Sequence, residues 1–390
     1  MRYNKDIESP SGNAGLRRFG AFFFVLQYKY RSIRTASKVP TARASFLCYN
    51  IDMKTAKTTG YFKILSADFP EWLNAYTNTK ELQTQKYIST TCGTLYTDLF
   101  NSDIFYSSLN HSIAVALIVW HFTHDKKQTL AGLFHDISTP AFKHCVDFMN
   151  GDYLKQESTE DLTTEFIKKS QDVMDLLKKD DIGIGEIDNY HIYPIADNDT
   201  PKLSADRLEY SLSNALFTYK LLSLEEVKEI YNDIEIEQNE SGEPELGFKT
   251  KSIARKFVQV TSRMSVIYRD DRTRFSMQFI ADILKGLKES GKITVEELYD
   301  KKESDIIRII ESSKYKDIWN TWRKAKKVNV SKTQPKNVYY VHQKSKVRYI
   351  DPLCNGERMS EVCKIAKNAI NKNLSYDMDN YVYLDFKLEK

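Results

Sequence analysis

Residues 107–144 read SSLNHSIAVALIVWHFTHDKKQTLAGLFHDISTPAFKH. The apolar residues from Ile113 to Trp120 are so dense that the stretch Ser107–His124 predicts a helix buried on most of its faces. Lys126–Ile137 follows as a second helix, with Leu130, Leu133 and Phe134 as its apolar set. Outward from this pair, residues 160–179 space Leu162, Phe166, Ile167, Val173 and Leu176 at helical intervals and predict a third helix. Ser204 is placed to cap a fourth that runs to about Leu222. Residues 71–100 read as one or two helices, and 251–290 and 295–325 add more. The tail changes character. Asn337–His342 and Lys346–Ile350 are rich in Tyr and Val across a short Gln-Lys-Ser turn, a hairpin pattern, and Tyr381–Phe386 alternates as a third strand after a helix over 357–372. Acidic Glu235–Glu245 reads as an exposed loop or short hairpin. The expected architecture is mainly α: a helical bundle over residues 53–330 with a small α+β lobe over 331–390.

The chain has 390 residues, 41% hydrophobic and 28% charged, with 24 Tyr and 20 Phe, ample for a large core. Only 14 Gly and 9 Pro argue against a fibrous or low-complexity chain. No apolar run reaches the roughly 18 residues of a membrane span, so no membrane partner is expected. Five scattered cysteines without a CxxC pair argue against a disulfide framework and a Cys-type zinc site, and fit a reducing, cytoplasmic setting. The net charge of +4 is unevenly placed. Residues 1–52 hold nine Lys/Arg against three Asp/Glu, leaving 48 basic and 50 acidic residues beyond, so bulk charge does not announce a nucleic-acid binder. In that first segment Arg17 and Arg18 precede the apolar run Phe19–Leu26, a faint signal-peptide pattern without a clear cleavage site. The favoured expectations are a disordered basic extension, or a segment upstream of a true start at Met53.

Four side chains could make one metal site. His135 and Asp136 are adjacent, and both reach one ion only if the helix ends there and the chain turns. His111 lies in the first turn of the buried helix and Asp206 in the first turn of another. Two imidazoles with two carboxylates suit one divalent ion, whether Mn, Fe, Zn, Ni or Mg, with positions left for water and substrate. Taken alone, the His-Asp pair reads first as a helix end with a solvated Asp, and His124-Asp125 is a second copy of it. His121 cannot join this site, being roughly 15 Å along the helix from His111, and it and His124 read as ordinary helix-end residues.

The three segments together resemble the HD superfamily of metal-dependent phosphohydrolases, and within it the deoxynucleoside-triphosphate triphosphohydrolase branch. His111-Ser-Ile-Ala-Val is similar to that branch's HS-x-x-V segment. Leu130-Ala-Gly-Leu-Phe-His-Asp-Ile-Ser-Thr-Pro-Ala-Phe-Lys-His resembles its AALLHD…PFSH segment, and Asp206-Arg-Leu-Glu-Tyr its D-[KR]-x-[DE]-Y segment. Lys346-Val-Arg-Tyr-Ile-Asp-Pro is similar to a basic strand of the C-terminal lobe. The likeness is close over residues 105–215 and loose over 250–355. It implies His111, His135, Asp136 and Asp206 as metal ligands, and His144 with Asp147 as the catalytic proton-transfer pair. It also implies Lys143, Arg207, Tyr210, Arg272 and Arg274 as contacts to substrate phosphate or pocket, a nucleotide substrate, and a homo-oligomer. Two positions depart from the family: Ser108 stands for an Arg before the first His, and Thr159-Glu160 for a His-Glu pair. Glu157, Glu160 and Asp161 are candidates to serve instead.

The leading expectation is therefore hydrolysis of (deoxy)nucleoside triphosphates by metal-activated water with a His general acid or base. The alternatives are a nucleotide phosphomonoesterase or phosphodiesterase, and a non-catalytic module binding nucleotides or nucleic acid. The last draws on Arg323–Arg348, with nine Lys/Arg, no acid, and Tyr339 and Tyr340 between; a solvated basic hairpin is the plainer reading.

Overall fold

The computed structural model describes residues 56–386 except Asp68, Asp103, Glu160 and Asp161. The expectations for residues 1–52, Glu160 and Asp161 lie outside the described residues. The protein is mainly α with a small sheet region.

The central helix is Ser108–Thr123, capped by the Ser107 hydroxyl, which accepts from the Asn110 amide. Every residue from Ser108 to Val119 is buried, as its all-round apolarity demands. It packs against Lys126–Phe134, whose Gly132 makes the approach close: a Cβ there would meet the Val115 and Val119 methyls at 3.3 Å. The second helix stops at Phe134, short of Ile137. The chain then turns through Ile137 N to Phe134 O and Thr139 N to Asp136 O. Two apolar clusters form, one around Ser108–Thr123, the other around Asp271–Glu289 with the fully buried Trp319 and Trp322.

Several elements are shorter than their periodicity suggests. Residues 160–179 are not one helix but Thr163–Lys169 and Gln171–Lys179, broken at Ser170, whose extended backbone and hydroxyl cap the second. Within 71–100 only Leu73–Thr77 and Lys80–Thr84 are α-helical, with 3-10 turns at Gln85–Tyr87 and Thr94–Tyr96. Ser204 does cap its helix, Ala205–Ser213, but the continuation Asn214–Thr218 widens to a π-turn. The helix over 357–372 is split at Cys363 into Met359–Val362 and Lys364–Leu374.

Among the described residues seven short strands form two sheets. β1 (Ile234–Gln238) and β2 (Pro244–Phe248) make the acidic hairpin; β2 pairs in parallel with β5 (Leu353–Cys354), and β5 antiparallel with β6 (Glu357–Arg358). β3 (Asn329–Ser331) and β4 (Tyr340–Val341) flank β7 (Tyr381–Tyr383), both antiparallel to it. The expected hairpin between 337–342 and 346–350 does not form. β4 takes β7 as its partner, and 346–350 runs without regular structure, its Lys346 amide donating to the Tyr153 carbonyl. Pairing crosses the boundary expected at 330, since β2 lies before it and its parallel partner β5 after it, and β3 itself spans residue 330.

Candidate metal centre and active site

His111 sits one turn into the central helix. Its Nδ1 donates to the Glu209 carboxylate, so Nε2 is the nitrogen left to bind. His135, just past the end of its helix, donates from Nδ1 to the Gly132 carbonyl at 2.8 Å, which fixes the same tautomer. The two Nε2 atoms then face each other across 3.2 Å. Asp206 Oδ1 lies 3.2 Å from the first and 3.7 Å from the second, and Asp136 Oδ2 is 3.8 Å from both. Two imidazole lone pairs at this separation repel unless a cation or a proton stands between them. Donors bound at about 2.0–2.2 Å to one ion lie roughly 3–4 Å apart, so His111, His135 and Asp206 fit a single divalent cation, while the Asp136 carboxylate is engaged by Lys143 beside them. His111, His135 and Asp206 form a group that could hold a metal ion.

Glu209 is fully buried, and the Tyr106 hydroxyl donates to it at 2.7 Å and the Tyr61 hydroxyl at 3.2 Å. Burial works against a charged His111, but the Glu209 and Asp206 carboxylates outweigh it and push its pKa up to about 10. An ion would therefore displace a proton to bind there, and its affinity would rise with pH. Burial also opposes the charge on Asp136, but Lys143 and the two imidazoles hold its carboxyl well below the usual carboxylate range.

The turn that follows carries the next groups. Gln85 anchors it, its amide donating to the carbonyls of Ile137 and Thr139 at 3.0 and 3.2 Å. Phe142 and Lys143 then take φ of +65° and +47°, a left-handed pair costly for side chains with a Cβ. Backbone bonds keep them there: Ala141 N donates to Leu298 O at 2.7 Å and Phe142 N to the buried Glu303 carboxylate at 3.3 Å. The twist brings Lys143 Nζ within 2.6 Å of Asp136 Oδ2. His144 Nδ1 meets Asp147 Oδ2 at 2.8 Å, and Asp147 Oδ1 accepts the Ser158 hydroxyl at 2.6 Å. Burial lowers the His144 pKa against the pull of Asp147, and the nearby Arg348 and Lys143 charges lower it further.

These groups open on one cavity of about 580 Å³. His111, His135, Asp136, Asp206, Lys143, His144, Arg207 and Tyr210 all line it; Asp147 stands behind His144. Asp206, Tyr210 and Asn214, four residues apart, face it from one helix face. Arg272 and Arg274 are not part of it. Arg272 is held by Asp270 at 2.6 Å and the Leu99 carbonyl at 3.2 Å. Arg274 is fully buried between Asp271 and the Gln343 carbonyl, both at 2.5 Å. They cap and tie their helix instead of facing a ligand.

Sequence reasoning missed other members. Glu209 carried a signal, since it lies one turn from Asp206 and in the quoted Asp206–Tyr210 segment. His191, which no motif singles out, lines the cavity and pairs with Asp197 at 2.9 Å. Lys346 and Arg348, placed in a solvated hairpin, line the cavity as well. Their position follows from long-range packing that no local pattern encodes.

No family model matches this chain. A Bacillus subtilis (strain 168) protein, YdhJ, described as uncharacterized, is 24% identical over 244 residues, which is 62% of this chain and 72% of that one. MG461 of Mycoplasma genitalium, also described as uncharacterized, is 29% identical over 184 residues, 42% of this chain and 43% of its own length. Among solved structures, a hypothetical protein from Aquifex aeolicus shares the fold. Its TM-score is 0.53 at 15% identity, over 81% of this chain and 93% of that one.

Proposed function

We propose that this protein is a metal-dependent phosphohydrolase acting on nucleotides, with (deoxy)nucleoside triphosphates as the leading substrates. The observation that carries the reading is the meeting of His111, His135, Asp136 and Asp206 beside His144 and Lys143 in one cavity. A divalent ion held there would polarise a phosphoryl oxygen and lower the pKa of water. Lys143 offers an ammonium beside the ligand set for a phosphate oxygen. His144, oriented by Asp147, has Nε2 available to take a proton from water or give one to the leaving oxygen, a role typically worth 10²–10⁴-fold. Arg207, at the N-terminal turn of Ala205–Ser213, adds positive charge where the helix dipole already favours anions. Tyr210, Tyr219 and Tyr268 line the cavity and offer ring faces for a base or sugar.

The test is turnover. Purified protein with Mn²⁺ is incubated with dNTPs, NTPs, nucleoside monophosphates and cyclic dinucleotides, with and without chelator. Release of inorganic triphosphate supports the leading substrate class. Release of phosphate from monophosphates, or opening of the cyclic ester, moves the activity to monoesters or diesters. No product with any divalent metal, or product undiminished by chelation, overturns the reading.

A further inference from the structure

Four Lys and Arg side chains line the cavity among the described residues: Lys143, Arg207, Lys346 and Arg348. Three are matched by carboxylates. Lys143 holds Asp136 at 2.6 Å, Arg207 lies 3.2 Å from Asp197, and Lys346 is 3.1 Å from Glu157. Among the described residues no carboxylate pairs with Arg348. Its guanidinium donates from one Nη to the neutral Gln156 Oε1 at 2.9 Å. A guanidinium has five donors, and one that is half-buried with a single neutral acceptor is short of both charge and hydrogen bonds.

The chain nevertheless holds Arg348 firmly. Its carbonyl accepts from the Asn373 side chain at 2.9 Å, and Asp351 N donates to the Pro201 carbonyl at 2.9 Å. The Gln156 side chain that receives the guanidinium also donates to the buried Ser345 hydroxyl at 3.1 Å. A segment without regular structure is thus stitched at several points, with an unmatched cation turned to the cavity.

We infer that Arg348 is the receptor for a second anionic group of the substrate, so that the site selects nucleotides with a di- or triphosphate chain over monophosphates. The inference rests on the phosphohydrolase reading. Lys143 serves the phosphoryl group beside the metal ligands, and its charge is already engaged by Asp136. A further phosphate of the same chain needs another cation with unspent donors, and Arg348 supplies it in a bidentate-capable form. The cavity would thus offer two anion positions of different character, one at Lys143 beside the candidate ligands and one at the unmatched Arg348.

Calorimetric titration tests this with two probes, inorganic triphosphate and orthophosphate, on protein dialysed after loading with one equivalent of Mn²⁺ and on metal-stripped protein. Arg348→Gln is expected to weaken triphosphate about tenfold or more while leaving orthophosphate within about twofold. Arg348→Lys keeps the charge without the fork and is expected to fall between. Thermal melts confirm that each variant is folded, and Arg348→Lys alone decides the matter if the Gln variant does not fold. Unchanged triphosphate affinity, or equal weakening of both probes, overturns the inference. Nucleotide turnover is scored separately: Arg348-dependent triphosphate binding without turnover sinks the hydrolase reading only, and turnover with Arg348-independent binding sinks this inference only.

Discussion

Glu209 shows how one buried residue sets the chemistry of another. Its carboxylate receives two tyrosine hydroxyls and the His111 Nδ1, and so decides which imidazole nitrogen is left open to a metal ion. Partners of this kind typically govern metal affinity 10–100-fold. Glu209→Gln should accordingly lose roughly that factor in Mn²⁺ or Zn²⁺ affinity, read as metal content after dialysis against a graded chelator. Full retention would remove Glu209 from the site. His144→Ala should behave differently, retaining the ion and losing about 10²–10⁴-fold in rate. An unchanged rate would take His144 out of the mechanism. The helix ends at Phe134, as a shared site for the adjacent His135 and Asp136 requires, so the two neighbours need not share one helical face.

At the scale of elements, the turn over 140–144 depends on a distant helix. Glu303, in the first turn of Glu303–Glu311, accepts the Ser89 amide at 3.1 Å, the Phe142 amide at 3.3 Å and the Tyr96 hydroxyl at 2.6 Å. Burial pushes its pKa up to about 7, against the pull of those donors. The folded state then keeps a proton that the unfolded chain releases above its ordinary value of 4.5. Stability from this group is present below that value and falls as pH rises from about 4.5 to about 7, where the loss is complete. Glu303→Gln keeps Oε1 as acceptor for both amides and turns its NH₂ to Tyr96. It should match the wild type near pH 4.5 and exceed it at pH 8 by up to about 3 kcal/mol. Melting curves from pH 5 to 8 check this, and parallel curves for the two proteins would refute it.

For the whole molecule, Arg358 joins regions more than a hundred residues apart. It donates to the fully buried Glu245 of β2 at 2.6 and 2.8 Å and to Glu240 at 2.5 and 2.8 Å. Glu245 in turn accepts the Leu203 amide at 3.0 Å, next to the Ser204 cap that starts the Asp206 helix. Arg358→Met leaves a buried carboxylate without its cation and should cost about 3–5 kcal/mol. Adding Glu245→Leu should restore part of that, because the orphaned charge is gone. Denaturant titration of the single and double variants measures the coupling, and simple additivity would show that the pair does not act as a unit. Among the described residues no helix is long and apolar enough to cross a membrane.

The helical character, the buried Ser107–His124 segment, the Ser204 cap and a His111, His135 and Asp206 group that could hold a metal were legible in the sequence, because apolar density, capping residues and His-Asp chemistry are carried by residue types and short spacings. Helix breaks at Ser170 and Cys363 were not, since at each a single residue turns to extended backbone inside a run whose helical spacing continues on both sides. Strand partners were misjudged because pairing is long-range: β4 satisfies its backbone with β7, some forty residues on, and leaves 346–350 free to bring Arg348 to the cavity. Arg272 and Arg274, basic and well placed in sequence, found carboxylates and carbonyls nearer than any ligand. Residue types and their local spacing determined which groups could do chemistry. Which of them meet, and which cation is left unmatched, was decided by contacts between distant segments, because charge pairing and burial are settled only when those segments pack.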